Sequence, residues 1–200
     1  MARLVVYTGC MFASKTERFL ERISRERFRY DHTDMRPTVS LFKPVLDTRY
    51  GQEALIVSHN GRSLPCTLVS SSAEIYDYLQ REHQKDVRVV GIDEPQFLDD
   101  GVIKLCLDFT RHRNIEVIVC GLNLDFRGDP FCFRASERHM GDLVIRAQEV
   151  HTEPAYCAYR LSPKSPRCGQ EAHFTQRLFP DGTPVPSDDP LLLVGGKEVS

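Results

Sequence analysis

Four short runs of β-branched and apolar residues punctuate the chain: Leu4–Thr8, Thr38–Lys43, Val87–Ile92 and Ile115–Cys120. Most of their positions are apolar or β-branched, without the strict alternation of a strand covered on one face. That pattern suits strands covered on both faces, as in a parallel sheet. Between them the period changes. Thr16–Arg27 reads as a helix, with Phe19, Leu20, Ile23 and Phe28 as a rough apolar stripe. Ser72–Gln80 and Gly101–Arg113 read as two further helices. The alternation predicts a doubly wound α/β fold. Ala54–Ser58 alternates between apolar and polar and runs into His59-Asn60-Gly61, which predicts a β-hairpin turning at Asn-Gly. After about residue 150 the pattern breaks down, and seven of the chain's twelve prolines fall there. A loop-rich appendage over 151–200, beside a main domain over 1–150, is the expected division.

Composition narrows the class. A 200-residue chain that is 41% hydrophobic can bury a real core. A net charge of −2 gives no basic surplus, which speaks against a nucleic-acid partner but leaves room for a local anion site. Seven cysteines, an odd number with several inside apolar runs, read as thiols in a reducing compartment. Met1 leads directly into a predicted strand, and no apolar stretch has the length of a membrane span. The expectation is a cytoplasmic protein without a membrane partner, with Cys106 and Cys120 as small core hydrophobes.

The first apolar run ends in Gly9-Cys10-Met11-Phe12-Ala13-Ser14-Lys15-Thr16. This matches the phosphate-loop pattern G-x-x-x-x-G-K-[ST] except at Ser14, and it stands between a predicted strand and a predicted helix. Backbone amides of such a loop point at phosphate oxygens, and the helix N-terminus adds a favourable dipole. Lys15 would neutralise β- and γ-phosphates, and Thr16 would offer its hydroxyl to Mg²⁺. Ser14 stands where glycine permits unusual backbone angles, so its Cβ should cost about 1 kcal/mol.

Val89-Val90-Gly91-Ile92-Asp93-Glu94 delivers two acids at the C-terminal end of a strand, where open α/β sheets bind ligands. An aspartate there can support Mg²⁺ through water. The neighbouring glutamate can then accept a proton from a substrate hydroxyl.

Taken with Asp47-Thr48-Arg49-Tyr50, Ile92-Asp93-Glu94-Pro95-Gln96-Phe97, Gly121-Leu122-Asn123-Leu124-Asp125-Phe126-Arg127-Gly128-Asp129-Pro130-Phe131 and Cys168-Gly169-x-x-Ala172-x-x-Thr175-Gln176-Arg177, the loop resembles the thymidine kinases of the cellular, poxviral and bacterial type. The motifs keep that family's order and span nearly the whole chain. The resemblance implies a P-loop NTPase-like parallel sheet flanked by helices, with a small C-terminal lasso and a remnant zinc-binding appendage. It implies ATP and thymidine as substrates, Mg²⁺ as cofactor, a homo-oligomer (tetramer or dimer) and inhibition by thymidine triphosphate. Gly9 to Thr16, Arg49, Asp93 and Gln96 would serve ATP and its phosphates. Thr16, Asp47 and Asp93 would stand around Mg²⁺, and Glu94 would be the general base. Met11, Phe97, Leu122, Phe126, Phe131, Leu191 and Leu193 would line the thymidine pocket, with the lasso running from about Phe174 to Gly196.

Some positions depart from the family pattern. Cys157 and Cys168 stand for its first zinc-binding pair but are spread by the ten residues Ala158–Arg167. A second pair would follow Val194-Gly195-Gly196, and none occurs before Ser200, so zinc is expected to be absent or incomplete. Asn123 replaces an aspartate, and Cys132–His139 reads as a small insertion. The alternative readings are a non-catalytic or weakly active nucleotide-binding relative, and a P-loop ATPase of another class.

Overall fold

The computed structural model describes residues 2–30, 38–47, 54–81, 86–162 and 164–189. In chain order the first half contains β1 (Leu4–Thr8), α1 (Lys15–Tyr30), β2 (Val39–Pro44), β3 (Leu55–Val57), β4 (Ser63–Pro65), β5 (Thr67–Val69) and α2 (Ser72–Gln80). There follow β6 (Val89–Asp93), a 3₁₀ turn at Pro95–Phe97, α3 (Gly101–Arg111), β7 (Glu116–Gly121), α4 (Gly141–Val144), β8 (Glu149–Thr152), β9 (Ala155–Tyr156) and β10 (Glu171–Ala172).

Six strands form one sheet in the order β5-β2-β6-β7-β1-β8, and each pairing in it is parallel. Consecutive residues of β1 feed two different cores. Leu4 and Val6 join Val90, Ile92, Val117 and Val119 with α2 and α3, while Val5 and Tyr7 join Val89 and Ile118 with α1. The sheet is therefore covered on both faces, which is why its strands read as continuous apolar runs. Each fully buried Leu, Ile, Val or Phe contributes about 1.5–3 kcal/mol to this core.

The four expected strands are present, each within about two residues of its expected bounds. The expected hairpin is β3 paired antiparallel with β4, Leu55 facing Pro65. The edge strands β5 and β8 were not foreseen, since three or four residues carry too little periodicity to read. β8 pairs with β1 from Val5–Glu149 to Thr8–Thr152, so the main sheet extends to residue 152.

One residue of the expected α1 stripe needs correction. Phe28 is 77% exposed, and Glu26 is buried instead. Phe28 lies five residues after Ile23, about 140° around the helix from it. Glu26 follows Ile23 by three residues and pairs with Arg22 at 3.0 Å, and Arg22 reaches Glu116 of β7 at 2.8 Å. The stripe thus continues through an ion-paired acid. The segment Cys132–His139 closes an antiparallel bridge between its ends and buries Phe133 in the α2–α3 core.

Candidate active site

Because the strands are parallel, their C-terminal ends share one edge. Thr8 stands level with Gly121, and Asp93 with Cys120. The loops leaving this edge enclose a cleft. It is lined by Met11–Glu17, by Lys43 and Asp47 around the end of β2, by Asp93 and Glu94 after β6, and by Leu122 after β7. Val57, His59 and Asn60 of the β3–β4 hairpin form its remaining wall.

The loop from Gly9 to Ser14 is held in an uncommon shape. Gly9 has φ 139°, and a Cβ there would meet the Glu153 carbonyl oxygen at 2.5 Å. Ser14, with φ 56°, adopts the left-handed conformation that its place in the motif requires, and Phe12 does the same with φ 62°. For non-glycine residues this region is strained. The Lys15 side chain is buried and its Nζ donates to the Cys10 carbonyl at 2.6 Å, so the ammonium is folded against its own loop. Cys10 and Met11 also reach the C-terminal segment. Cys10 Sγ donates to the Ala172 carbonyl at 3.1 Å, and the Met11 amide to the Thr175 hydroxyl at 2.9 Å.

The acids are fixed as firmly. Asp93 and Glu94 are 3% and 2% exposed. Glu94 sits in the left-handed region with φ 48°, its amide donating to the Cys120 carbonyl at 2.6 Å. The Gln96 amide nitrogen donates to the Glu94 carboxylate. Gln96 packs over Gly121, where a Cβ would stand 2.5 Å from Gln96 Oε1. Gln96 thus bonds Glu94 and does not itself line the cleft.

The oxygen donors around the cleft include the Thr16 hydroxyl and the carboxylates of Asp47 and Asp93. Hard oxygen ligands of this kind fit Mg²⁺. Asp47 is buried and ion-paired with Lys43 at 3.4 Å. Lys43 is a site residue that the sequence reading does not single out; its signal is a lysine closing the strand run Thr38–Lys43.

The expected thymidine-pocket residues divide. Met11 and Leu122 line the cleft. Phe97 and Phe131 lie beyond it, edge to face with ring centroids 5.7 Å apart. Phe126 lies on the turn that Asp125 closes by accepting from the Arg127 and Asp129 amides. Arg49, Leu191 and Leu193 fall outside the described residues, as does the last part of the expected lasso.

Burial pushes the Cys106 thiol up to about 12. It lifts the Cys120 thiol well above its usual range too, with the nearby Asp93 charge adding to the rise. Both thiols are neutral core groups. Cys157 and Cys168 lie on the hairpin that carries β9 and β10, where the Gly169 amide donates to the Cys157 carbonyl at 3.1 Å and the Cys168 amide to the Tyr159 carbonyl at 2.8 Å. Among the described residues no group of three or more His, Cys, Asp or Glu side chains is arranged to hold a metal ion.

A parallel sheet whose first strand runs through a phosphate-type loop into a helix, with an acid pair ending a nearby strand, is the framework of a P-loop α/β protein. A family profile described as thymidine kinase matches residues 2–200. The chain belongs to the thymidine kinase family. It is 38% identical to the thymidine kinase of Mesoplasma florum over 192 residues, covering 96% of this chain and 83% of that protein. It is also 38% identical to the thymidine kinase of Mycoplasma capricolum subsp. capricolum over 199 residues, 99% of this chain and 84% of that one. With the thymidine kinase of Onion yellows phytoplasma it shares 37% identity over 193 residues, 96% and 80% of the two chains.

Proposed function

We propose that this protein transfers the γ-phosphoryl group of ATP to the 5′-hydroxyl of thymidine, yielding thymidine monophosphate for deoxynucleoside salvage. The observation that carries the reading is the meeting of Lys15 and Thr16 with Asp93 and Glu94 around a single cleft. Family membership supplies the substrates.

Phosphoryl transfer asks mainly for positioning and charge stabilisation. Loop amides and Lys15 hold the triphosphate, and Lys15 exchanges its Cys10 carbonyl partner for phosphate oxygens. Thr16, Asp47 and Asp93 would hold Mg²⁺, Asp93 by way of a water. When bound, Mg²⁺ would supply charge neutralisation at the triphosphate. Glu94, oriented by Gln96, accepts the 5′-hydroxyl proton as the new P–O bond forms. Met11 and Leu122 begin an apolar slot that continues through Phe97, Phe126 and Phe131 and takes the flat base. Arg49 joins the phosphates, and Leu191 and Leu193 close over the base.

Among the described residues no helix is long and apolar enough to cross a membrane. We place the enzyme in the cytoplasm as a homo-oligomer, tetramer or dimer, a state that light scattering on the purified chain reads directly. The reaction is tested by a coupled ADP-release assay over the common deoxynucleosides. Thymidine-dependent turnover is expected. ATP turnover that proceeds equally without any nucleoside overturns the reading in favour of an ATPase.

A further inference from the structure

The 121–131 loop and the C-terminal segment are joined by a ring of contacts that the reaction itself does not require. Arg177 and Arg127 both lie against Phe126, their guanidinium carbons 4.8 and 5.2 Å from the ring centroid. Both also converge on Asp189. Arg177 forms an ion pair with its carboxylate, and Arg127 donates to its backbone carbonyl at 2.6 Å. The chain between the two ends of this ring is a folded unit. The Val185 amide donates to the Arg177 carbonyl at 3.0 Å, and the Phe179 amide to the Thr183 carbonyl at 2.8 Å. Asp181 caps the turn, accepting from both the Thr183 amide and its hydroxyl.

We propose that Asp189 is the clasp that fastens segment 177–189 across Phe126, and that this clasp sets how tightly thymidine is held. The inference rests on the proposed function, in which Phe126 belongs to the base slot. An exposed ion pair alone would matter little. This one is largely buried on the arginine side, where the Arg177 side chain is 10% exposed. It also shares its aspartate and its aromatic ring with a second guanidinium, so its members act together. The carboxylate has a further consequence. It ties the two ends of segment 177–189 together, while the Arg127 bond to the Asp189 carbonyl and the Arg177 guanidinium over Phe126 join that closed segment to the 121–131 loop. Loss of the clasp frees the cover without touching the phosphate loop or Glu94. Asp189 is accordingly a positioning residue, and its signature is selective.

Steady-state kinetics and thymidine binding by calorimetry, on wild type, Asp189→Asn, Asp189→Ala and Arg127→Gln, provide the test. The Asp189 variants should raise KM and Kd for thymidine about threefold to tenfold. Their kcat and KM for ATP should stay within about twofold. Arg127 is exposed, so Arg127→Gln repeats the test without a folding question, and a smaller rise in the same direction is expected. Arg177→Ala combined with Asp189→Ala should be no weaker than the worse single variant. Unchanged thymidine affinity in Asp189→Asn and Arg127→Gln, with an active wild type, overturns the clasp alone. An equal loss in kcat and both KM values, with a lowered Tm, overturns it in favour of a purely structural pair. A wild type that binds no thymidine overturns the clasp together with the proposed function.

Discussion

Lys43 and Asp47 face each other at 3.4 Å with both side chains only 2% exposed. They stand four residues apart around the turn that leaves β2, where the Asp47 amide donates to the Pro44 carbonyl. Lys43 Nζ also lies 3.5 Å from the Leu55 carbonyl of the hairpin. A buried pair of opposite charges is worth little over an apolar pair, yet removing one partner strands the other. Lys43→Met should therefore destabilise the protein by about 3–5 kcal/mol. Urea unfolding measures this, and Lys43→Met with Asp47→Leu should recover part of the loss. A single variant as stable as wild type would show that Asp47 does not depend on Lys43.

Glu94→Gln keeps the shape of the side chain and removes its basicity. Turnover should fall by about 10²–10⁴-fold with ATP affinity retained. Single-turnover kinetics beside nucleotide binding separates the two effects. Wild-type turnover in this variant would remove Glu94 from the proton transfer. Gln96→Ala should give a smaller loss in kcat, because it deprives Glu94 of its side-chain donor without deleting the carboxylate.

Lys15→Ala removes the ammonium that rests on the Cys10 carbonyl at the wall of the cleft. The reaction should drop by at least about 10²–10³-fold through loss of charge stabilisation. Detectable ADP release near the wild-type rate would rule out the phosphate-loop role of residues Gly9 to Thr16.

Gly9 and Ser14 make opposite predictions within that same loop. Gly9→Ala forces a Cβ to within 2.5 Å of the Glu153 carbonyl at a φ of 139°, and should lower stability and ATP affinity together. Ser14→Gly relieves a serine held at φ 56° and should raise stability by up to about 1 kcal/mol. Thermal melts with and without ATP decide both. A Ser14→Gly variant less stable than wild type would mean that the hydroxyl, not the backbone, governs this position.

Asp99 links the N-terminus of α2 to the start of α3. Burial pulls its pKa upward, but donation from the Ser72 hydroxyl and amide and from the Gly101 amide outweighs it, and the carboxyl is held below its ordinary value. A depressed folded-state pKa stabilises above the unfolded value of about 3.9, and that contribution is lost as pH falls through the lower folded value. Wild type should therefore lose more stability than Asp99→Asn as pH is taken from about 5 to below the folded-state pKa. Parallel stability curves for the two proteins would remove Asp99 from the acid response.

The strands that carry the site were legible because they lie in the middle of the sheet. β1, β6 and β7 are covered on both faces, so their apolar runs are unbroken and their ends are marked by Gly9, Asp93 and Gly121. β5 and β8 escaped notice because an edge strand of three or four residues needs only one buried face. Phe28 misled for a related reason. Its hydrophobicity was plain, but its angle around α1 placed it in solvent while the ion-paired Glu26 took the buried place.

The sequence alone determined the sheet's middle strands, the helices between them, the phosphate-type loop and the acid pair, because local pattern and motif spacing encode them directly. Only the tertiary structure decided which of these come together. Parallel pairing brought Lys15, Asp93 and Glu94 to one edge, and burial joined Lys43 to Asp47. It also carried Asp189 back to Arg127, 62 residues away along the chain. Such contacts depend on where distant strands and loops meet in space, and a charged residue's partner leaves no mark on the residues beside it.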